Sequence, residues 1–148
     1  PAPVPPVLLS REKRPPDPID IKQISKEQAK YLIEKDGYWG TLLSAESERP
    51  VVYEGEPIFS VQASPLGKQL GFYYEVPEEV AGRDIVLVIL DLENGTAKEV
   101  YRDDYHTSSW EWNAEKYVTV LRVCGSECLY ARMFDVRTGK EVLGYQVY

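Results

Sequence analysis

Few residues in this chain have the types and spacing that chemistry needs. Cys124 and Cys128 stand on either side of Gly125-Ser126-Glu127, and the single histidine, His106, follows Asp103-Asp104-Tyr105. In a three-residue hairpin loop the flanking residues face one another across the strands, at a separation a disulfide spans. Closing so short a ring is worth roughly 2 kcal/mol by chain entropy. The alternative is a thiol pair holding a metal, which needs about four ligands, and His106 is the only imidazole in the chain. The disulfide is therefore the preferred reading, on condition that the chain is exported to an oxidising compartment. No cofactor and no metal site is read from the sequence.

No motif places a serine or cysteine beside His106, so a nucleophilic triad has no support. Asp103, Asp104, Tyr105 and His106 read as a solvated loop, or as the polar rim of a hydrolase-type site using His106 or a loop carboxylate. Asp91, Glu93 and Asn94 lack the alternating acidic pattern of a calcium loop and are explained as turn residues. No spacing singles out a carboxylate pair for glycoside hydrolysis, and no glycine-rich phosphate loop opens a helix. Trp110 and Trp112 alternate, so they share one face of a strand. Buried, they are core, the preferred reading for Trp110; exposed, they offer an aromatic surface to a protein or sugar. Tyr105, His106 and Trp112 are the candidate ligand- or partner-binding residues.

Charge narrows the partners. The chain has 148 residues and a net charge of −7, which argues against nucleic acid and against an anionic membrane surface. It has no apolar run of about 18 residues to cross a bilayer. It begins Pro1-Ala2-Pro3-Val4 without a methionine; a processed start is expected, with a signal sequence or membrane anchor preceding Pro1 and an extracytoplasmic location following from it.

The elements that position these residues read as mainly β. Residues 1–20 carry seven of the eleven prolines and are expected to be a disordered, extended spacer. Residues 21–148 are expected to form a single β-rich domain. Ser25-Lys26-Glu27-Gln28 has the form of a capping box, and Ala29, Leu32 and Ile33 continue one apolar stripe, predicting a helix over 26–35. Tyr38 to Leu43 and Val51 to Tyr53 read as short strands. Ile58 to Ala63 opens a longer one, with Phe59, Val61 and Ala63 on one face by alternation. Ile85-Val86-Leu87-Val88-Ile89-Leu90 is apolar on both faces, the pattern of a strand covered from both sides.

The chain also repeats itself, over about 58–102 and 105–148. Asp91-Leu-Glu-Asn-Gly95 lies over Asp135-Val-Arg-Thr-Gly139 at an offset of 44, and Leu70 lies over Tyr117 at an offset of 47. Such periods belong to four-stranded blades. Ser64-Pro65-Leu66-Gly67-Lys68-Gln69-Leu70-Gly71-Phe72 resembles the Ser-Pro-Asp-Gly-Lys-x-Ile-Ala-Phe motif of TolB-like β-propeller repeats. Trp110 to Tyr117 is a degenerate second form, with the family's tryptophan on Trp110 and, in the first copy, on Ala63. Leu66 and Asn113 replace the family's turn aspartate. The resemblance covers about residues 53–148. It implies two antiparallel blade-like sheets forming a scaffold for protein or ligand contacts and does not imply catalysis, so a non-catalytic binding or scaffold module is the expected function. Propellers typically have at least four blades. Two copies therefore imply a piece of a longer propeller, a structural subunit that self-associates through its edge strands, or two sheets packed as a sandwich.

Overall fold

A computed structural model describes residues 17–34, 50–76, 85–103 and 108–147. The strand expected over 38–43 and most of the proline-rich spacer lie outside these residues. Among the described residues, ten strands form two sheets. The first begins with β1 (Ile19–Asp20), which pairs in parallel with β2 (Val51–Tyr53). The sheet thus starts two residues before the expected boundary at 21. A 3-10 turn over Ile21–Gln23 and helix α1 (Lys26–Glu34) lie between β1 and β2. The capping box is reciprocal: Gln28 N donates to Ser25 Oγ at 3.1 Å, and Ser25 N donates to Gln28 Oε1 at 2.8 Å.

The first sheet continues through β3 (Glu56–Ala63), β4 (Gln69–Glu75), β5 (Ile85–Asp91) and β6 (Ala97–Asp103), in sequence order. The second is a four-stranded meander of β7 (Ser108–Asn113), β8 (Tyr117–Gly125), β9 (Cys128–Asp135) and β10 (Glu141–Val147). The two predicted repeats are therefore two antiparallel blade-like sheets.

Matching turns tie the repeats together. Asp91 Oδ1 accepts from the amides of Glu93 and Asn94, and Asp135 Oδ1 accepts from those of Arg137 and Thr138. Gly95 and Gly139 close the turns at φ 70° and 73°, a conformation that glycine adopts without steric cost. Both carboxylates are thus occupied by turn amides, which is the turn role read from the sequence.

The strand offset is 48 and not 47, because Gln69 pairs with Asp91 where Tyr117 pairs with Asp135. A one-residue slip exchanges the faces of a strand. The corrected register matches Leu70 with Val118 and Phe72 with Val120, and all four are buried. It also makes Trp112, not Trp110, the counterpart of Ala63, since these two residues pair with Val118 and Leu70.

A second correction concerns β3. Its pairing shifts between Phe59 and Gln62, and Ser60 takes φ 54°. This bulge inserts one residue and turns the following side chains over. Phe59 therefore joins one core while Ile58 and Val61 join the other, where simple alternation predicted Phe59 and Val61 together.

There are two cores, one on each side of the first sheet. Val86, Val88 and Leu90 point into a cluster with Ile21, Val51, Ile58, Leu70 and Phe72. Ile85, Leu87 and Ile89 point the other way, into a cluster with Trp110, Val118, Val120 and Phe134 from the second sheet. Every side chain from Ile85 to Leu90 is at most 4 % exposed, as a strand covered on both faces requires.

Candidate functional site: the open face of the second sheet

The seam between the sheets is closed by polar contacts. At the turn end, Glu115 reaches across to the first sheet. It accepts from Ser64 Oγ at 2.5 Å and from Leu66 N at 2.8 Å, while Gln69 Nε2 donates to its carbonyl at 2.8 Å. Burial raises the Glu115 pKa, but the donors from Ser64, Leu66 and Gln69 outweigh it and hold the carboxyl below its ordinary value. A cleft of about 460 Å³ opens beside this lock, lined by Gln69, Asp91, Lys98, Lys116 and Arg137 among others. Its two carboxylates accept hydrogen bonds from turns: Asp91 from the amides of Glu93 and Asn94, and Glu115 from Ser64 and Leu66.

Along the strands nearest the join, the two tryptophans act as cross-ties. Trp110 Nε1 donates to Ser60 O and Trp112 Nε1 to Gln62 O, each at 3.0 Å, and Gln62 Nε2 donates to Trp110 O at 2.8 Å. The bulge at Ser60 accompanies these contacts. Trp110 is buried and its ring lies over Gly71, where an added Cβ would stand 2.2 Å from the indole Cη2. Trp112 is half-buried and packs edge-on against Trp110 at 5.8 Å between ring centroids. The two therefore share one face, as their spacing predicts, and the Trp112 indole nitrogen is engaged in joining the sheets.

Toward the other end of the strands, Tyr101 Oη donates to Asp103, and Arg122 pairs with the same carboxylate at 3.3 Å. Burial, then the Asp103 hydrogen bond, pushes the Tyr101 phenol up to about 12. Arg132 lies 5.4 Å from the ring centroids of Tyr101 and Phe134, and Glu141 clamps its guanidinium at 2.7 and 3.1 Å. Asp103 is thus tied into a structural network. Asp104, Tyr105 and His106, the remaining members of the predicted loop site, lie outside the described residues. Among the described residues, no three His, Cys, Asp or Glu side chains gather as a metal site.

Cys124 and Cys128 form a disulfide with a Cα separation of 5.2 Å. The loop is tighter than predicted: β8 and β9 pair as far as Gly125 with Cys128, leaving a two-residue turn, and Cys124 sits where the register shifts.

Beyond this hairpin lies a surface that sequence reasoning missed. The second sheet turns Val118, Val120 and Phe134 toward the first. By alternation its opposite face carries Leu121, Val123, Leu129, Met133, Leu143 and Tyr145. Val123, Leu143 and Tyr145 are about half exposed, at 49 %, 50 % and 46 %. In its middle Thr119 and Ala131 are buried. The signal was present in the sequence as apolar residues at alternate positions of β8, β9 and β10. It could be interpreted only once the register decided which face was covered.

No family model and no curated protein matches the chain. A solved structure that is similar is the β-propeller domain of the Trilobed protease from Pyrococcus furiosus, described as having an open velcro topology. The match is 16 % identical, with a TM-score of 0.51, and covers 72 % of this chain and 33 % of that one. The chain therefore spans about a third of that structure. The likeness shows a propeller-like fold and nothing about activity.

Proposed function

We propose that this chain is a non-catalytic binding or scaffold module built from TolB-like repeats, and that it works by presenting the open face of its second sheet to a protein partner. The observation that carries this reading is the set of half-exposed apolar side chains Val123, Leu129, Leu143 and Tyr145 on one face, on a chain whose net charge is −7. Soluble domains seldom leave such a face uncovered unless something binds it. The described carboxylates near the seam support the non-catalytic part, since Asp91, Asp103, Glu115 and Asp135 are all held in structural contacts. The Cys124–Cys128 disulfide is consistent with an extracytoplasmic setting. A proline-rich spacer tethering the module to a membrane fits that setting.

The test is site-specific photo-crosslinking in the source cells, with a benzophenone side chain replacing Tyr145 or, as the control, Lys98 in the seam cleft. Discrete protein adducts from position 145 and none from position 98 are expected. Absence of adducts at 145, or equal adducts from both positions, would overturn the reading.

A further inference from the structure

The geometry points to a second copy of this chain as the partner, docked open face to open face about a two-fold axis. This inference rests on the contact reading above and names its partner.

The corrected repeat register carries the argument. At an offset of 44, Ile85, Leu87 and Ile89 correspond to Leu129, Ala131 and Met133, and at an offset of 48 Tyr73 corresponds to Leu121. The open face is thus the same surface that the first sheet buries against the second, one repeat further on. The surface that would complement it in a continuing stack is the one bearing Leu70, Phe72 and Val88. In a second copy that surface is already sealed, because Ile21 packs into its core and these residues are fully buried. Its counterpart on the second sheet is buried against the first. Head-to-tail stacking through these faces is therefore blocked, and among the described residues the apolar face a second copy has left to offer is its own open face. A face pairing with itself is the isologous arrangement that a two-fold axis generates.

Charge agrees with this geometry. Register places Glu111, on the edge strand β7, among the mostly uncharged residues of the open face. Two acidic copies meet there with the least repulsion. An axis along the strands lays β7 of one copy over β10 of the other and keeps the two Glu111 carboxylates at opposite rims.

Area sets the strength. Four strands about 4.8 Å apart and some seven residues long cover roughly 450 Å² per copy. At about 900 Å² in total that falls in the weak, transient class of interfaces, so a concentration-dependent dimer is expected.

The test is sedimentation velocity on the full chain from about 1 to about 500 μM. A monomer–dimer transition across that range is expected. Leu143→Glu and Tyr145→Glu, both at half-exposed positions, should abolish it while the far-ultraviolet circular dichroism stays unchanged. Leu66→Glu, at an apolar residue 68 % exposed on the first sheet's turn, should leave it intact. A wild-type monomer at the top concentration, or a dimer that survives Leu143→Glu, overturns the two-fold pairing. If that happens while position 145 crosslinks to a protein of another mass, the contact reading stands and only the choice of partner falls. If position 145 crosslinks to nothing, both fall.

Discussion

Glu115 belongs to the second repeat and acts on the first. Its carboxylate gathers the Ser64 hydroxyl and the Leu66 amide across the seam. Because these donors favour the ionised form, its folded pKa lies below its ordinary value. The stabilisation is therefore complete at neutral pH, above the unfolded pKa, and is lost as pH falls through the lowered folded value. Glu115→Gln should destabilise the chain by roughly 1.5–3 kcal/mol near pH 7, the usual scale for hydrogen bonds to a charged group. Urea midpoints measured at neutral and acid pH check this: the gap between variant and parent should narrow as the pH drops. Glu141, held by Arg132, and Asp135, held by the Arg137 and Thr138 amides, are lowered in the same sense. All three make the fold more sensitive to acid than to mild base.

At the scale of elements, the two sheets meet where a large ring lies on a residue without a side chain. Trp110 covers Gly71, and a methyl group there would overlap the indole. Gly71→Ala should cost about 1–3 kcal/mol, as overpacking does, and the penalty should shrink in a Trp110→Leu background, where the ring is gone. A double-mutant cycle by chemical denaturation measures the difference. Neither partner announces this contact in the sequence. Gly71 reads there as part of a repeat motif, and Trp110 as an aromatic that is either core or surface. Much else was legible: the helix from its cap, the central strand from its unbroken apolar run, the turns from Asp-x-x-x-Gly, and the cysteine pair from its spacing. The Ser60 bulge was not, because serine carries no preference for φ 54°, and the insertion follows from pairing with β4. The open face was hidden for the same kind of reason, since exposure depends on which sheet covers which.

At the scale of the whole molecule, the described residues form two stacked layers with unlike outer faces. Ile21 packs onto the outer side of the first sheet, and on the outer side of the second Val123, Leu143 and Tyr145 are about half exposed. Between them lies β5, whose six apolar residues, three on each side, enter both cores. That central position gives β5 a second aspect when the layers part. An uncharged run of β-favouring residues released from both covers is a template for pairing with other unfolded chains, and such pairing outpaces refolding. Heating should therefore end in precipitate. The apparent melting temperature should rise with scan rate in calorimetry, and a second scan of the same sample should show no transition. A single charge at the centre of that run, Val88→Lys, would restore solubility to the melted chain only by preventing it from folding. The six side chains that close the interior are thus also the ones expected to make melting irreversible.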